Sequence, residues 1–419
     1  MKATLVIKNI GTLITLQGEN KARTGKSLED IGLVENGIIA VQEDKIIYVG
    51  QGELPENISV DRETKIIDAK GKTVTPGLID SHTHLVHGGS RENELAMKLK
   101  GVSYLDILAA GGGIHSTMES TQNANFDELY SKAKKSLDTM LSYGVTTVEA
   151  KSGYGIEDFD TELKQMEVAK KLDEEHPVNI ISTFMGAHAI PKKYEEDPDE
   201  FVDIIINEML PVVANKNLAQ FCDVFCEEGV FTVDQSRRIL LAARELGMEA
   251  KLHADEIKPL GGAELAAEID CISAEHLIAA SDVGIKSMAE KGVIANLLPG
   301  TSFNLQTGKF ARARDMITEG VPVALSTDYN PGSCPTENLQ LIMSFASLIM
   351  KLTPEEVITG VTINGAAALG LEDSIGSLEV GKKADIAIFD APNLEYIIYH
   401  FGINHTDIVI KDGKIVYQG

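Results

Sequence analysis

The sequence predicts an α/β protein, a (β/α)8 TIM barrel with a small β-sandwich domain formed from both chain ends. Three observations point there. The chain has 419 residues, long for one ordinary domain but suited to a barrel of about 250 residues plus a smaller module. Its two ends share a turn-rich, short-strand character, and between them β-like apolar runs alternate with segments of helical period.

Residues 1–72 read as the first part of the sandwich, with alternating strands in LVIKNIGTLITL, GIIAVQEDKIIYVG and the start of KIIDAKGKTVTPG. Residues 73–372 read as the barrel, whose eight apolar runs end near His84, Ala150, Ala187, Cys226, His253, Ala274, Leu298 and Thr327. The intervening helices carry their own signals. TVDQSRRILLAARELG starts at Thr232 with Gln235 placed for a capping box, puts Ile239, Leu240 and Ala243 on one face, and has Gly247 just past its end. Residues 373–419 return to strand character in GSLEVGKKADIAIFD and DIVIKDGKIVYQG, with Asp412-Gly413 as a hairpin turn, and complete the sandwich. No repeat of 20 to 50 residues is visible, which argues against solenoids and propellers.

Composition narrows the function classes. Hydrophobic residues at 43% and charged residues at 24% fit a globular chain with a large core. A formal net charge of −25 argues against a nucleic-acid partner, because phosphate-backbone binding draws on clustered Lys and Arg. No apolar run reaches the roughly 18 residues needed to span a bilayer, and the strand-like start MKATLVIKNIGTLITL lacks a cleavage site, so no membrane association and a cytoplasmic location are expected. None of the four cysteines forms a CxxC pair; Cys222 and Cys226 read as reduced core or loop residues.

The chemistry concentrates at the ends of the barrel runs. His82 and His84 in TVTPGLIDSHTHL are two apart, so both leave the same face of an extended segment and can share one ion. A lone HxH says little. Here His253 ends the fifth run, His276 follows the sixth and Asp328 ends the eighth, so all five fall on the rim where barrel enzymes assemble their sites. Imidazoles with a carboxylate suit zinc, iron or another first-row divalent ion. Glu256, three residues after His253, is placed to exchange protons with a water on such an ion. His276 could ligate the ion or hydrogen-bond an oxygen that gains negative charge beside it, and the second role is favoured.

PGLIDSHTHL, the histidines of KLHADE and AEHL, the aspartate of STDYNPG and the terminal GSLEVGKKADIAIFD together resemble the amidohydrolase superfamily over nearly the whole chain. Within it, HTHLVHGGSRENEL, EAKSGYG, FMGAHAIP, KLHADEI and LLPGTSFNL, occurring in that order, are similar to the imidazolonepropionase family. The resemblance implies that His82, His84, His253 and Asp328 hold one divalent metal ion per chain, zinc or iron. It implies hydrolysis of 4-imidazolone-5-propanoate to N-formimidoyl-L-glutamate. Dinuclear relatives commonly carry a carboxylated lysine at the end of the fourth strand; FCDVFCEEGVF has none, and Lys151 sits on the second strand, so a mononuclear site is implied.

The same resemblance places Arg91 of GGSREN on the anionic propanoate, which a guanidinium can grip through two parallel hydrogen bonds. It places Tyr154, His188 and, more weakly, Tyr104 on the substrate. Asn330, Gly332 and Ser333 match the family's substrate loop, although an NPGS turn is an equally good structural reading. Asp328 would share proton traffic with Glu256, and the superfamily suggests a homodimer. The enzymatic alternative is another mononuclear member such as a cytosine or guanine deaminase, whose substrates have no carboxylate for Arg91. A metal-free scaffold is disfavoured because every ligand is present. His87, His115, His176, His400 and His405 match no role; His87 lies near the site and the others read as surface or loop residues. Gly111 to Gly113 lack the spacing of a phosphate loop and read as a lid.

Overall fold

The computed structural model describes residues 1–102, 112–306 and 308–419. Tyr104 and Gly111 therefore lie outside the described residues. The terminal strands are β1 (Leu5–Ile14), β2 (Leu33–Gln42), β3 (Lys45–Gln51), β4 (Lys65–Asp68) and β5 (Thr73–Pro76). The barrel follows as β6 (Leu78–Asp80), β7 (Val145–Lys151), β8 (Asn179–Ala187), β9 (Phe221–Cys226), β10 (Glu249–Ala254), β11 (Ser273–His276), β12 (Ile294–Leu297) and β13 (Val323–Leu325). Then β14 (Ile386–Phe389), β15 (Thr406–Lys411) and β16 (Lys414–Gln418) return to the first group.

The two ends share one mixed sheet of order β16-β15-β14-β5-β1-β2-β3, with β4 also on β1. Ile46 N–H reaches the Lys382 carbonyl at 3.0 Å, which brings β3 back to the segment leading into β14 and curls the sheet on itself. Its interior joins Leu5, Ile7, Ile10 and Leu13 to Ile386, Ile388, Ile408 and Ile410. Thus the two termini contribute to one shared core. Thr73–Pro76, which a boundary after residue 72 assigns to the barrel, pairs with β1 and β14 in this terminal sheet.

All eight expected barrel strands are present and parallel in sequence order from β6 to β13. The seam between the first and last closes just beyond the strands, where Thr83 bridges Tyr329. Asp328 N–H donates to the His82 carbonyl at 3.0 Å and His84 N–H to the Tyr329 carbonyl at 2.8 Å, so closure itself brings the HxH segment beside Asp328. The Val233–Glu245 helix shows the reciprocal Thr232–Gln235 capping box, and Gly247 takes the left-handed φ of 86° that ends it.

Candidate active site

Side chains alternate faces along a strand, so residues two apart on each barrel strand share the interior. His253 is on β10, and His276 ends β11. His82 and His84 follow β6, with Thr83 turned away to donate from Oγ1 to the Glu149 carbonyl at 2.5 Å. At the mouth, ring centroids lie 4.7 Å apart for His82 and His253 and 5.1 Å for His253 and His276. One potential ligand atom each from His82, His84 and Asp328 lies within 4.8 Å of the others, and so do those of His82, His253 and His276. All five residues are buried.

The imidazoles are aimed by what holds their outer nitrogens. His82 Nδ1 is 2.7 Å from Glu275 Oε2, and His253 Nδ1 is 2.9 Å from Asp223 Oδ2. A carboxylate on Nδ1 fixes the tautomer with Nε2 as a lone-pair donor. His82 Nε2 is buried with no hydrogen-bond partner, 3.5 Å from Asp328 Oδ1. An orphaned imidazole nitrogen facing other histidines and a carboxylate is costly by itself and fits a divalent cation.

Beneath this layer the barrel interior is ionic. Lys151 Nζ donates to Asp223 at 2.8 Å and Glu149 at 2.9 Å, and Lys251 Nζ lies 3.3 Å from Glu149. Burial alone would depress the Lys151 ammonium, but Asp223, Glu149 and Glu275 outweigh it and raise the pKa. Burial likewise pushes Asp223 up, and His253 and Lys151 beside it overcome that and hold it well below the ordinary carboxylate range. Asp223, Glu275, Glu149 and Lys251 were not picked out from the sequence. Their signal was a charge at alternate positions of otherwise apolar runs, in VEAK, CDVF, AKLH and SAEH.

Asp328 is held on both oxygens. Asn330 Nδ2 donates to Oδ1 at 2.9 Å and Thr301 to Oδ2 at 2.5 Å, and Ser333 Oγ lies 3.4 Å from Oδ2. Asp328 sits at φ 55° and His276 at φ 67°, left-handed conformations that cost a β-carbon-bearing residue energy and mark a site that over-determines them. Glu256 Oε2 is 3.7 Å from His276 Nε2, and burial raises the Glu256 pKa to about 7. Its neighbour Asp255 accepts from the N–H groups of Leu260, Gly261, Gly262 and Ala263, which pins the turn carrying Glu256. Burial holds His276 and His188 near 3, so both are neutral.

His188 stacks on His84 with centroids 5.0 Å apart, and Tyr154 lies 5.7 Å from His84 and 5.6 Å from His188. Arg91 Nε and Nη2 donate to the two Glu94 oxygens at 3.0 Å each, and its other terminal nitrogen lies against Gly332. Gly332 N–H and Ser333 N–H donate to Asn330 Oδ1 at 2.9 and 2.7 Å, which joins Arg91 to the Asp328 loop. His87 packs against Tyr329 at 5.4 Å. His176 and His405, read as surface or loop residues, are buried: His176 bonds Asp138 at 3.1 Å after the helix Phe159–Glu175, and His405 reaches the His400 carbonyl at 3.0 Å.

The model of the amidohydrolase family matches residues 73–416. An imidazolonepropionase of Alkaliphilus oremlandii is 63% identical, with 100% of this chain and 99% of that protein covered. One of Fusobacterium nucleatum is 56% identical with full coverage of both. Among solved structures, a zinc-bound atrazine chlorohydrolase variant of Arthrobacter aurescens superposes with TM-score 0.73 at 18% identity, covering 99% of this chain and 95% of the other. An adenosine deaminase of Xanthomonas campestris with bound zinc gives 0.69 at 20%, covering 99% and 93%. At these identities the structures speak to the fold, whereas the full-length sequence relatives speak to the family. The chain belongs to the amidohydrolase family and, within it, to the imidazolonepropionases.

Proposed function

We propose that this chain hydrolyses the ring C–N bond of 4-imidazolone-5-propanoate, giving N-formimidoyl-L-glutamate. The observation that carries the reading is 63% identity over the whole chain with an enzyme of that family, on a barrel whose mouth gathers the histidines and Asp328. One divalent ion per chain, zinc or iron, held by His82, His84, His253 and Asp328, would supply Lewis acidity, lowering the pKa of water and polarising the ring carbonyl.

The chain's own residues do the rest. Arg91 binds the propanoate, with Tyr154 and His188 against the ring and Asn330, Gly332 and Ser333 lining the loop beside it. Glu256 accepts a proton from water as oxygen bonds to the ring carbonyl carbon. It returns that proton to the ring nitrogen as the C–N bond breaks, and a pKa of about 7 suits both transfers. Neutral His276 donates a ring N–H to the carbonyl oxygen as negative charge develops there. Asp328, lifted by burial, shares the proton traffic.

Incubating the protein with imidazolone propanoate and following its ultraviolet absorbance, with the product identified by mass, tests the assignment. Deamination of cytosine or guanine without turnover of imidazolone propanoate would reverse it. The same reading includes a cytoplasmic homodimer; light scattering that returned a single-chain mass would remove the dimer. Among the described residues no helix is long and apolar enough to cross a membrane.

A further inference from the structure

We propose that Glu94 and Gly332 form a clamp that positions Arg91 and thereby sets selectivity for a substrate with a carboxylate tail; this rests on the reading of Arg91 as the tail's partner. Glu94 is a charged residue only 3% exposed, an arrangement that needs a strong partner to persist. Its two oxygens take the Nε and Nη2 hydrogens of Arg91 at 3.0 Å each, and Oε1 also accepts the Gly113 N–H at 2.7 Å. The carboxylate therefore ties Arg91 to the start of the helix Ile114–Asn123.

On the other side a Cβ built on Gly332 would overlap Arg91 Nη1. Only a glycine lets the guanidinium lie against that backbone. Gly332 is in turn two hydrogen bonds from Asp328, through Asn330 Oδ1 at 2.9 Å and Asn330 Nδ2 at 2.9 Å. The arginine is thus held in register with the metal-facing carboxylate by one jaw and fixed in rotation by the other. A guanidinium has five N–H groups, and Glu94 uses one from Nε and one from Nη2, along the side edge. The end edge, made by Nη1 and Nη2, is the one a second carboxylate can grip in parallel. An arginine already locked in that pose gives up little rotamer freedom when the tail binds.

The test compares Glu94→Gln, Glu94→Asp, Gly332→Ala and Arg91→Ala with the wild-type holoenzyme. Each is assayed on imidazolone propanoate and on its tail-amide analogue, with metal content and Tm measured alongside. Glu94→Gln should raise KM for the carboxylate substrate by about 10-fold or more, the scale of one charge-assisted hydrogen bond, with kcat little changed and KM for the amide unchanged. Gly332→Ala should lose the same discrimination, and Glu94→Asp should recover part of it. If Arg91→Ala discriminates as well as wild type, the Arg91 reading fails and the clamp with it. If Arg91→Ala loses discrimination while Glu94→Gln and Gly332→Ala keep it, the clamp alone fails. Equal losses on both substrates together with Tm or metal would make Glu94 a purely structural residue and overturn the proposal.

Discussion

Asp223→Asn is the sharpest perturbation of the metal centre, because it changes one charge and almost no volume. Asp223 Oδ1 accepts from His253 N–H at 3.0 Å, and Oδ2 accepts from His253 Nδ1 at 2.9 Å and Lys151 Nζ at 2.8 Å. An amide has only one acceptor atom. If its oxygen faces the ring and the lysine, its NH2 is forced against the His253 backbone N–H. If it flips, the NH2 faces Nδ1 and drives His253 into the tautomer that puts a proton on Nε2, the nitrogen that the proposed ligand set offers to the ion. Either way ligation weakens, and loss of such an orienting carboxylate typically costs 10- to 100-fold in metal affinity, about 1.4 to 2.8 kcal/mol. Competition with a chromophoric chelator reads this directly. Lys151 also loses a buried counter-charge, so Tm should fall; the pair Asp223→Asn with Lys151→Met should regain part of the Tm but none of the affinity. Wild-type affinity in the single variant, or full recovery of affinity in the double, would refute the tautomer argument.

Glu256→Gln should keep the metal and lose turnover by at least about 10²-fold, as expected for a positioned acid–base group; loss of metal with activity would make Glu256 a ligand. Because burial lifts Glu256 to about 7 and the base must be deprotonated, kcat/KM should fall as pH drops through a limb at or below about 7, since a nearby cation can only lower that value. An acid limb above that would assign it to another group. Elemental analysis should return about one zinc or iron per chain, and His84→Ala or Asp328→Ala should remove it. His176→Ala should leave it in place, since His176 is bonded to Asp138 and the Val178 N–H; two tightly held ions per wild-type chain would contradict the single-ion reading.

The barrel was legible because its strands announce themselves locally. Each is a short, largely apolar run between helical segments, and the expected ends of all eight fall within a few residues of the observed ones. His82, His84, His253, His276 and Asp328 were legible for a related reason: a polar residue ending an apolar run must lie on the barrel rim. What the sequence could not supply is which inward residue faces which. Asp223 and His253 are 30 positions apart, and Glu275 and His82 are 193 apart. Both contacts exist only once parallel register and barrel closure have set strands side by side. The Glu94 grip on Arg91 spans three residues but depends on a turn after β6 and on the Asp328 loop arriving from the far end of the barrel. Local sequence determined which side chains point inward, since that is a matter of alternation along one strand. Their partners, tautomers and pKa values were decided by the tertiary structure, because each comes from burial and charge contributed by a different strand.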